Sequence, residues 1–288
     1  MSGAGAPAVG FVGLGQIGRP MAERLASWPG GLWVHDVAPE PVAALEAQGA
    51  KAASSLSELA ASCDLVSVMV RDDDQVREVV AQLLAGAREG LTIAIHSTVA
   101  PDTPGQLADV AARHGVHVVD APVSGGSMGA AAGTLAIMVG GTAEAYAVCE
   151  GPFAAMGSVV VRAGEVGDGT RMKLARNLMH FVAFTATTEA ARLAEASGLD
   201  LVELGRIVRH TDTITGGPGA IMHRDSAGPL AADDPWRGIF EHVWALGSKD
   251  LTLAIDLGRQ LGVDTPLASL ALERMRAGLG LVDEEGAV

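Results

Sequence analysis

Ala8-Val9-Gly10-Phe11-Val12-Gly13-Leu14-Gly15-Gln16-Ile17-Gly18 is the stretch whose reading decides the fold. A short apolar run of strand character ends in a Gly-x-Gly-x-x-Gly turn, after which Met21, Ala22, Leu25 and Ala26 recur at helical spacing. A glycine motif alone is weak evidence; the strand before it and the helix after it give it force. In that setting the glycines serve the tight turn, the approach of backbone to a pyrophosphate, and the packing of helix on strand. Gly13, Gly15, Gln16, Ile17 and Gly18 are therefore candidate cofactor residues, and an α/β Rossmann-type dinucleotide-binding domain is expected.

The next apolar run, Leu32-Trp33-Val34-His35-Asp36, closes on an acidic residue about twenty positions after the glycines, where a carboxylate can accept the ribose hydroxyls of the adenosine half. Val37-Ala38-Pro39-Glu40 supply no Arg or Lys for the extra phosphate of NADP, and Asp36 would repel it, so NAD is the expected cofactor. The simpler reading of Asp36 is a helix cap or turn residue.

Strand-like and helix-like segments go on alternating. Asp64 to Val70, Leu91 to Ile95, Val116 to Asp120, Leu135 to Val139 and Ser158 to Val161 read as strands. Asp72-Asp73-Asp74 opens a helix carrying Val76, Val79, Val80 and Leu83 on one side, which favours charge on a helix N-terminus over a metal cluster. Ser97 and Thr98 follow a strand at the edge where open parallel sheets bind ligands, so they either face the nicotinamide half or cap the next helix. After strand 116–120 comes Ala121-Pro122-Val123-Ser124-Gly125-Gly126-Ser127-Met128-Gly129-Ala130. Successive small residues there expose backbone N–H groups in a concave nest suited to a carboxylate, or form an ordinary glycine loop.

Composition narrows the function classes. In 288 residues, 49% are hydrophobic and 19% charged, enough apolar content for a sizeable core and two domains. A formal net charge of −14 argues against nucleic-acid or anionic-membrane surfaces and leaves small-molecule chemistry. Cys63 and Cys149 form no paired motif, His114 and His117 lack a third ligand, and no metal site is expected. The small, polar start and the absence of a long uncharged apolar run predict a cytoplasmic protein without a membrane span.

From Gly167 to Ser197 the pattern is one helix of roughly 45 Å at 1.5 Å per residue. Lys173 and Asn177 are four apart and share a face. By itself such a lysine is a solvated one. A cofactor turn and a carboxylate nest upstream change that reading, because an amine buried beside a cofactor can act as a base near neutral pH.

Gly13 to Gly18 with Pro20-Met21-Ala22, Asp120 to Gly126 with Gly129-Ala130 and Gly133-Thr134-Leu135, Gly167 to Asn177, and Lys249-Asp250-Leu251 together resemble the β-hydroxyacid dehydrogenase family, which includes 3-hydroxyisobutyrate dehydrogenase. The resemblance runs from about Ala8 to about Ala271. It implies a Rossmann domain over 8–166 and an all-α domain over 167–288, joined through the long helix. It further implies catalytic Lys173, substrate binding by Ser124, Gly125, Gly126 and Asn177, and Thr98 and Lys249 near the cofactor. The chain departs from the family in having Met69-Val70-Arg71 where a Leu-Pro pair is usual, and His96 where an acidic or polar residue is usual.

The implied activity is NAD-dependent oxidation of a small β-hydroxy acid, with 3-hydroxyisobutyrate the best single substrate. Alternatives are a semialdehyde or imine reductase of the same fold and a non-catalytic NAD-binding interaction protein. Helical patterns are expected after Ser197-Gly198, through Ile221-Met222 and from Phe240 to Leu261. Trp236, Phe240 and Trp244 form a stripe that is core, interface or pocket wall. A helical domain built on one rod leaves apolar flanks, so a homodimer or homotetramer is expected, and Asp283-Glu284-Glu285 should be solvated.

Overall fold

A computed structural model describes residues 5–222 and 224–281, so the start of the chain and the acidic tail at 283–285 lie outside the described residues. The chain divides into two compact units, 1–176 and 177–288.

The first unit alternates strands and helices: β1 (Val9–Val12), α1 (Gly18–Glu23), β2 (Leu32–His35), α2 (Pro39–Glu46), β3 (Lys51–Ala52), α3 (Leu56–Ser62), β4 (Leu65–Val68), α4 (Asp73–Gly86), β5 (Thr92–Ile95) and α5 (Thr103–Ala112). It continues with β6 (His117–Asp120), β7 (Val123–Ser124), α6 (Gly126–Ala132), β8 (Leu135–Gly140), α7 (Ala143–Met156), β9 (Gly157–Gly164) and the start of α8 (Asp168–Ala196). The sheet runs β3-β2-β1-β4-β5-β6-β8-β7, with β9 paired to β8. All pairings from β3 to β6 are parallel, whereas β8 is antiparallel to β6 and β7.

Helices on both faces explain why the central strands β1, β4 and β5 are short, mostly apolar and fully buried. Val9 and Phe11 of β1 and Leu65 of β4 join one core with Met21, Leu25, Leu45 and Phe153. Val12, Val66 and Val68 join the other with Leu59, Val76, Val80, Leu83 and Leu107. Alternate residues of one strand thus reach opposite layers, and burying each large aliphatic side chain contributes about 1.5–3 kcal/mol. The chain leaves β1 and β4 toward different sides of the sheet, which opens a crevice at their carboxyl ends.

In the second unit α8 continues and is followed by α9 (Leu201–Thr215), a 3-10 turn at Gly217–Gly219, α10 (Arg237–Leu261) and α11 (Pro266–Gly278), with no strand among the described residues. Asp200 caps α9, accepting from the N–H of Val202 at 2.7 Å and of Glu203 at 3.2 Å. Ile221 and Met222 do not continue a helix as expected. The chain takes positive φ at Gly216 and Gly217, 87° and 55°, and Pro218 follows, so the backbone turns out of α9 instead. Phe240 is buried with Leu230, Leu279 and Leu281, and Trp236 and Trp244 pack on them, so the aromatic stripe belongs to a small core. Glu189 of α8, almost wholly buried, accepts from the N–H of Leu267 at 2.8 Å and of Ala268 at 3.1 Å, and so caps α11 from another helix.

Candidate active site

The glycine turn has the geometry that its spacing requires. Gly13 has φ of 89°, and a Cβ there would overlap the Met69 carbonyl. A Cβ on Gly18 would overlap the carbonyl of Gly13, whereas a Cβ on Gly15 would meet nothing within 4 Å. Two of the glycines are thus demanded by the protein's own packing. Gly15 alone borders open space, as expected where a ligand's backbone-hugging group lies.

Asp36 follows β2 and is tied to that turn. Its carboxylate accepts from Leu14 N–H at 2.5 Å and from Ala38 N–H at 2.7 Å. An ionised carboxylate has about four acceptor sites, so two remain for ribose hydroxyls, and the turn role and the ribose role are compatible. Gly13, Gly15, Gln16, Ile17, Gly18 and Asp36 all line one cavity of about 660 Å³, within the roughly 300–1,000 Å³ usual for small-molecule sites. Val37, Leu56, Val70, Gln75, Val79 and Gln82 also line it, with Arg71 and Glu78. These wall residues were not among the sequence candidates. For Val70, Arg71, Gln75, Glu78, Val79 and Gln82 the available signal was the carboxyl end of β4, adjacent to β1 in an open sheet. An elongated ligand with hydroxyls at one end and an anionic group near Gly15 fits this lining.

Thr98 is exposed and does not line the cavity. Ser97 is buried, with its hydroxyl accepting from Val70 N–H at 3.0 Å and donating to Val70 O at 2.7 Å. It therefore joins the loops after β4 and β5. Asp72 caps α4, accepting from Gln75 N–H at 3.0 Å, while Asp73 holds Ala100 N–H at 3.1 Å and the Thr103 hydroxyl. One aspartate of the triple thus serves the helix start and the next ties down the loop after Thr98.

A second group of candidates assembles beyond β6. Ser124 ends β7 half-buried, and Gly125 and Gly126 follow with φ of 132° and 62°. Lys173, in the second turn of α8, is buried, and its Nζ donates to Val123 O at 2.7 Å, so the ammonium sits beside the Ser124–Gly126 turn. Burial, and after it the Arg176 guanidinium, lowers the Lys173 ammonium below the ordinary lysine range. The neutral amine therefore becomes accessible closer to neutral pH than for a solvated lysine. Asn177 is half-buried on α8 in the second unit. Lys249, on α10 of that unit, is exposed and paired with Asp250 at 3.0 Å.

His96 is fully buried: Nδ1 lies 2.7 Å from Ala121 O and Nε2 lies 3.1 Å from the Ser67 hydroxyl, with Phe11 and Phe153 against the ring. Burial pulls its imidazolium down to about 4, partly offset by the Ala121 carbonyl. The ring is neutral near pH 7 and links the layers around β4, β5 and β6. Cys63 and Cys149 are buried in the two cores, where desolvation raises both thiols and leaves them unreactive.

Residues 8–164 match the family model described as the NAD binding domain of 6-phosphogluconate dehydrogenase. Residues 167–285 match the one described as NAD-binding of NADP-dependent 3-hydroxyisobutyrate dehydrogenase. The chain is 51% identical over 278 residues to an uncharacterized oxidoreductase of Mycobacterium tuberculosis (strain ATCC 25618 / H37Rv), covering 96% of this chain and 94% of that one. It is 35% identical to an NAD-dependent L-serine dehydrogenase of Pseudomonas aeruginosa, covering 93% of this chain and 91% of the relative. Among solved structures it is similar to an oxidoreductase from Mycobacterium avium 104, with a TM-score of 0.93, 49% identity, and coverage of 96% and 100%.

Proposed function

Since the chain belongs to the 3-hydroxyisobutyrate dehydrogenase-like β-hydroxyacid dehydrogenases, NAD(P)-binding oxidoreductases, we propose that it oxidises a short β-hydroxy acid with NAD. In this reading residues 8–166 hold the cofactor and 167–288 complete the substrate site and the oligomer. The leading substrate is 3-hydroxyisobutyrate, which the second matching family model names, and the L-serine activity printed for one relative supports the broader β-hydroxy acid class. Asp36, with no cation among Val37-Ala38-Pro39-Glu40, supports NAD over NADP.

The observation that carries the reading is the buried Lys173 Nζ held at Val123 O beside the Ser124–Gly126 turn. When bound, the nicotinamide supplies the acceptor for the hydride leaving the carbinol carbon. The hydroxyl proton passes to the neutral Nζ of Lys173 as the carbonyl forms, and Lys173 returns it to water. Ser124 and the N–H groups of Gly125 and Gly126 hold the substrate carboxylate, fixing which carbon is presented. Asn177, one helical turn past Lys173, orients the hydroxyl without adding charge. Thr98 and Lys249 are assigned to the cofactor's surroundings on the family resemblance.

Leu178, Val202, Ile214 and Leu253 of the second unit are each more than half exposed, which supports its use in a homodimer or homotetramer. Among the described residues no helix is long and apolar enough to cross a membrane, and two buried, unpaired cysteines fit a reducing cytoplasm.

The test is a screen of 3-hydroxyisobutyrate, L-serine, glycerate, 3-hydroxypropionate and 4-hydroxybutyrate with NAD and with NADP. Semialdehydes and cyclic imines with NADH or NADPH are tried in parallel. NADH formation from at least one β-hydroxy acid is expected. Turnover of imines alone would make it an imine reductase, and no turnover with NADH still bound would leave a non-catalytic binding protein.

A further inference from the structure

Asp120, the last residue of β6, is completely buried, and its two carboxylate oxygens are committed to the start of α8. Oδ1 accepts from Gly167 N–H and Oδ2 from Thr170 N–H, both at 2.6 Å. The first N–H groups of any helix have no partner inside it, and a buried helix start needs acceptors from elsewhere. An ionised carboxylate gripping two amides is about the strongest such acceptor a side chain offers.

The packing leaves this junction little freedom. A Cβ on Gly140 would overlap the Asp120 carboxylate, and one on Gly169 would lie 2.8 Å from Asp120 O and 2.9 Å from Gly140 N. Lys173 follows Thr170 by three residues, close to one turn of the helix, and its Nζ is held by Val123 O, three residues after Asp120. One short segment, 120–126, therefore holds α8 at its first amides, holds the amine, and goes on to form the Ser124–Gly126 turn.

We propose that Asp120 is a positioning residue for the reaction: by anchoring the first turn of α8 to the end of β6, it sets the depth and direction of Lys173 relative to the substrate carboxylate turn. The inference rests on Lys173 being the proton acceptor. Without the anchor the first turn of α8 frays, Nζ leaves Val123 O for water, and the lysine loses the burial that lowers its ammonium below the ordinary lysine range. The cofactor cavity at the ends of β1, β2 and β4 does not include Asp120.

The experiment compares full-length wild type, Asp120→Asn and Lys173→Ala for NADH affinity, kcat and KM, and the pH dependence of kcat/KM. Asparagine keeps one acceptor and turns an NH₂ toward the other amide. Losing a hydrogen bond to a charged group predicts a kcat roughly 10- to 100-fold lower. Little change in NADH affinity is expected, with the acid limb of the profile moved to higher pH. A purely structural role would lower NADH affinity and the amount of active enzyme together, without moving the limb. An Asp120→Asn enzyme with wild-type kcat and an unmoved limb overturns the inference, provided Lys173→Ala is inactive; an active Lys173→Ala enzyme overturns the lysine reading itself. Should Asp120→Asn fail to fold, amide hydrogen exchange in the wild type decides: slow exchange at Gly167 and Thr170 supports the anchor, and exchange at unstructured rates refutes it.

Discussion

Acidification from about pH 7 to about pH 5 should destabilise the first unit chiefly through His96, because the unfolded chain takes up a proton there that the folded chain refuses. The imidazole titrates near ~6.5 when solvated and at about 4 in the fold, where burial disfavours the cation. The folded value is depressed, so the unfolded state binds more protons between those values and unfolding becomes easier as the pH falls. At about 1.4 kcal/mol per unit, the full effect is about 3 kcal/mol below the folded value, and about 2 kcal/mol is already lost near pH 5. The assay is urea unfolding followed by circular dichroism at both pH values, for wild type and for His96→Asn and His96→Phe. Both variants start less stable, since Ser67 and in the second case Ala121 O lose a partner. Their stability nevertheless falls by about 2 kcal/mol less than wild type over the interval. Equal losses in all three proteins would refute the assignment of a neutral, buried His96.

The other outcomes concern the cofactor site and the second unit. Gly15→Ala should fold with near-normal stability, because nothing lies within 4 Å of the new Cβ, yet bind NADH at least about tenfold more weakly by fluorescence titration. Gly18→Ala, whose Cβ overlaps Gly13 O, should in addition lose about 1–3 kcal/mol in denaturation. Asp36→Asn, which removes the charge facing a 2′-phosphate, should lower the ratio of kcat/KM for NAD to that for NADP by roughly tenfold or more; an unchanged ratio would place discrimination elsewhere. Glu189→Ala leaves the Leu267 and Ala268 amides without their acceptor, and a thermal melt should register a loss of about 1–2 kcal/mol.

What could be read in the chain follows the range of the interactions involved. The glycine turn, β1, β2, β4, β5, β6, β8 and β9 are legible because strand, turn and helix signals there are local and the strands are mostly apolar. β3 escaped because two exposed residues, Lys51 and Ala52, carry no period. The helix after it is short and carries only a capping-box pattern, in which Ser55 accepts from Glu58 N–H while the Glu58 carboxylate reaches back to Ser54 N–H. Within the run 121–130, which reads as a nest or a glycine loop, the start of α6 is hidden because small side chains show no apolar stripe. At Ile221 and Met222 the apolar pattern outlasts the glycines that end α9, so periodicity alone extends the helix too far.

At the site, Lys173 and the Ser124–Gly126 turn were accessible through family resemblance, whereas the burial that lowers the lysine depends on the folded layers around it. Ser97 carried a hydroxyl at a ligand-binding edge and spent it on Val70, a pairing between loops 27 residues apart that no local pattern announces. Asp120 is legible as the end of a strand and the start of the Asp120–Gly126 run, but its anchoring of α8 is not, because its partners lie 47 and 50 residues downstream.

The central claim is that buried Lys173 takes the substrate's proton, and the most direct measurement is the turnover of Lys173→Ala with the best β-hydroxy acid from the screen, alongside its NADH affinity. The account predicts unchanged NADH binding, a kcat lowered by at least about 10²- to 10⁴-fold, and loss of the acid limb from the residual rate. Wild-type turnover in that variant, with the same pH profile, would contradict it.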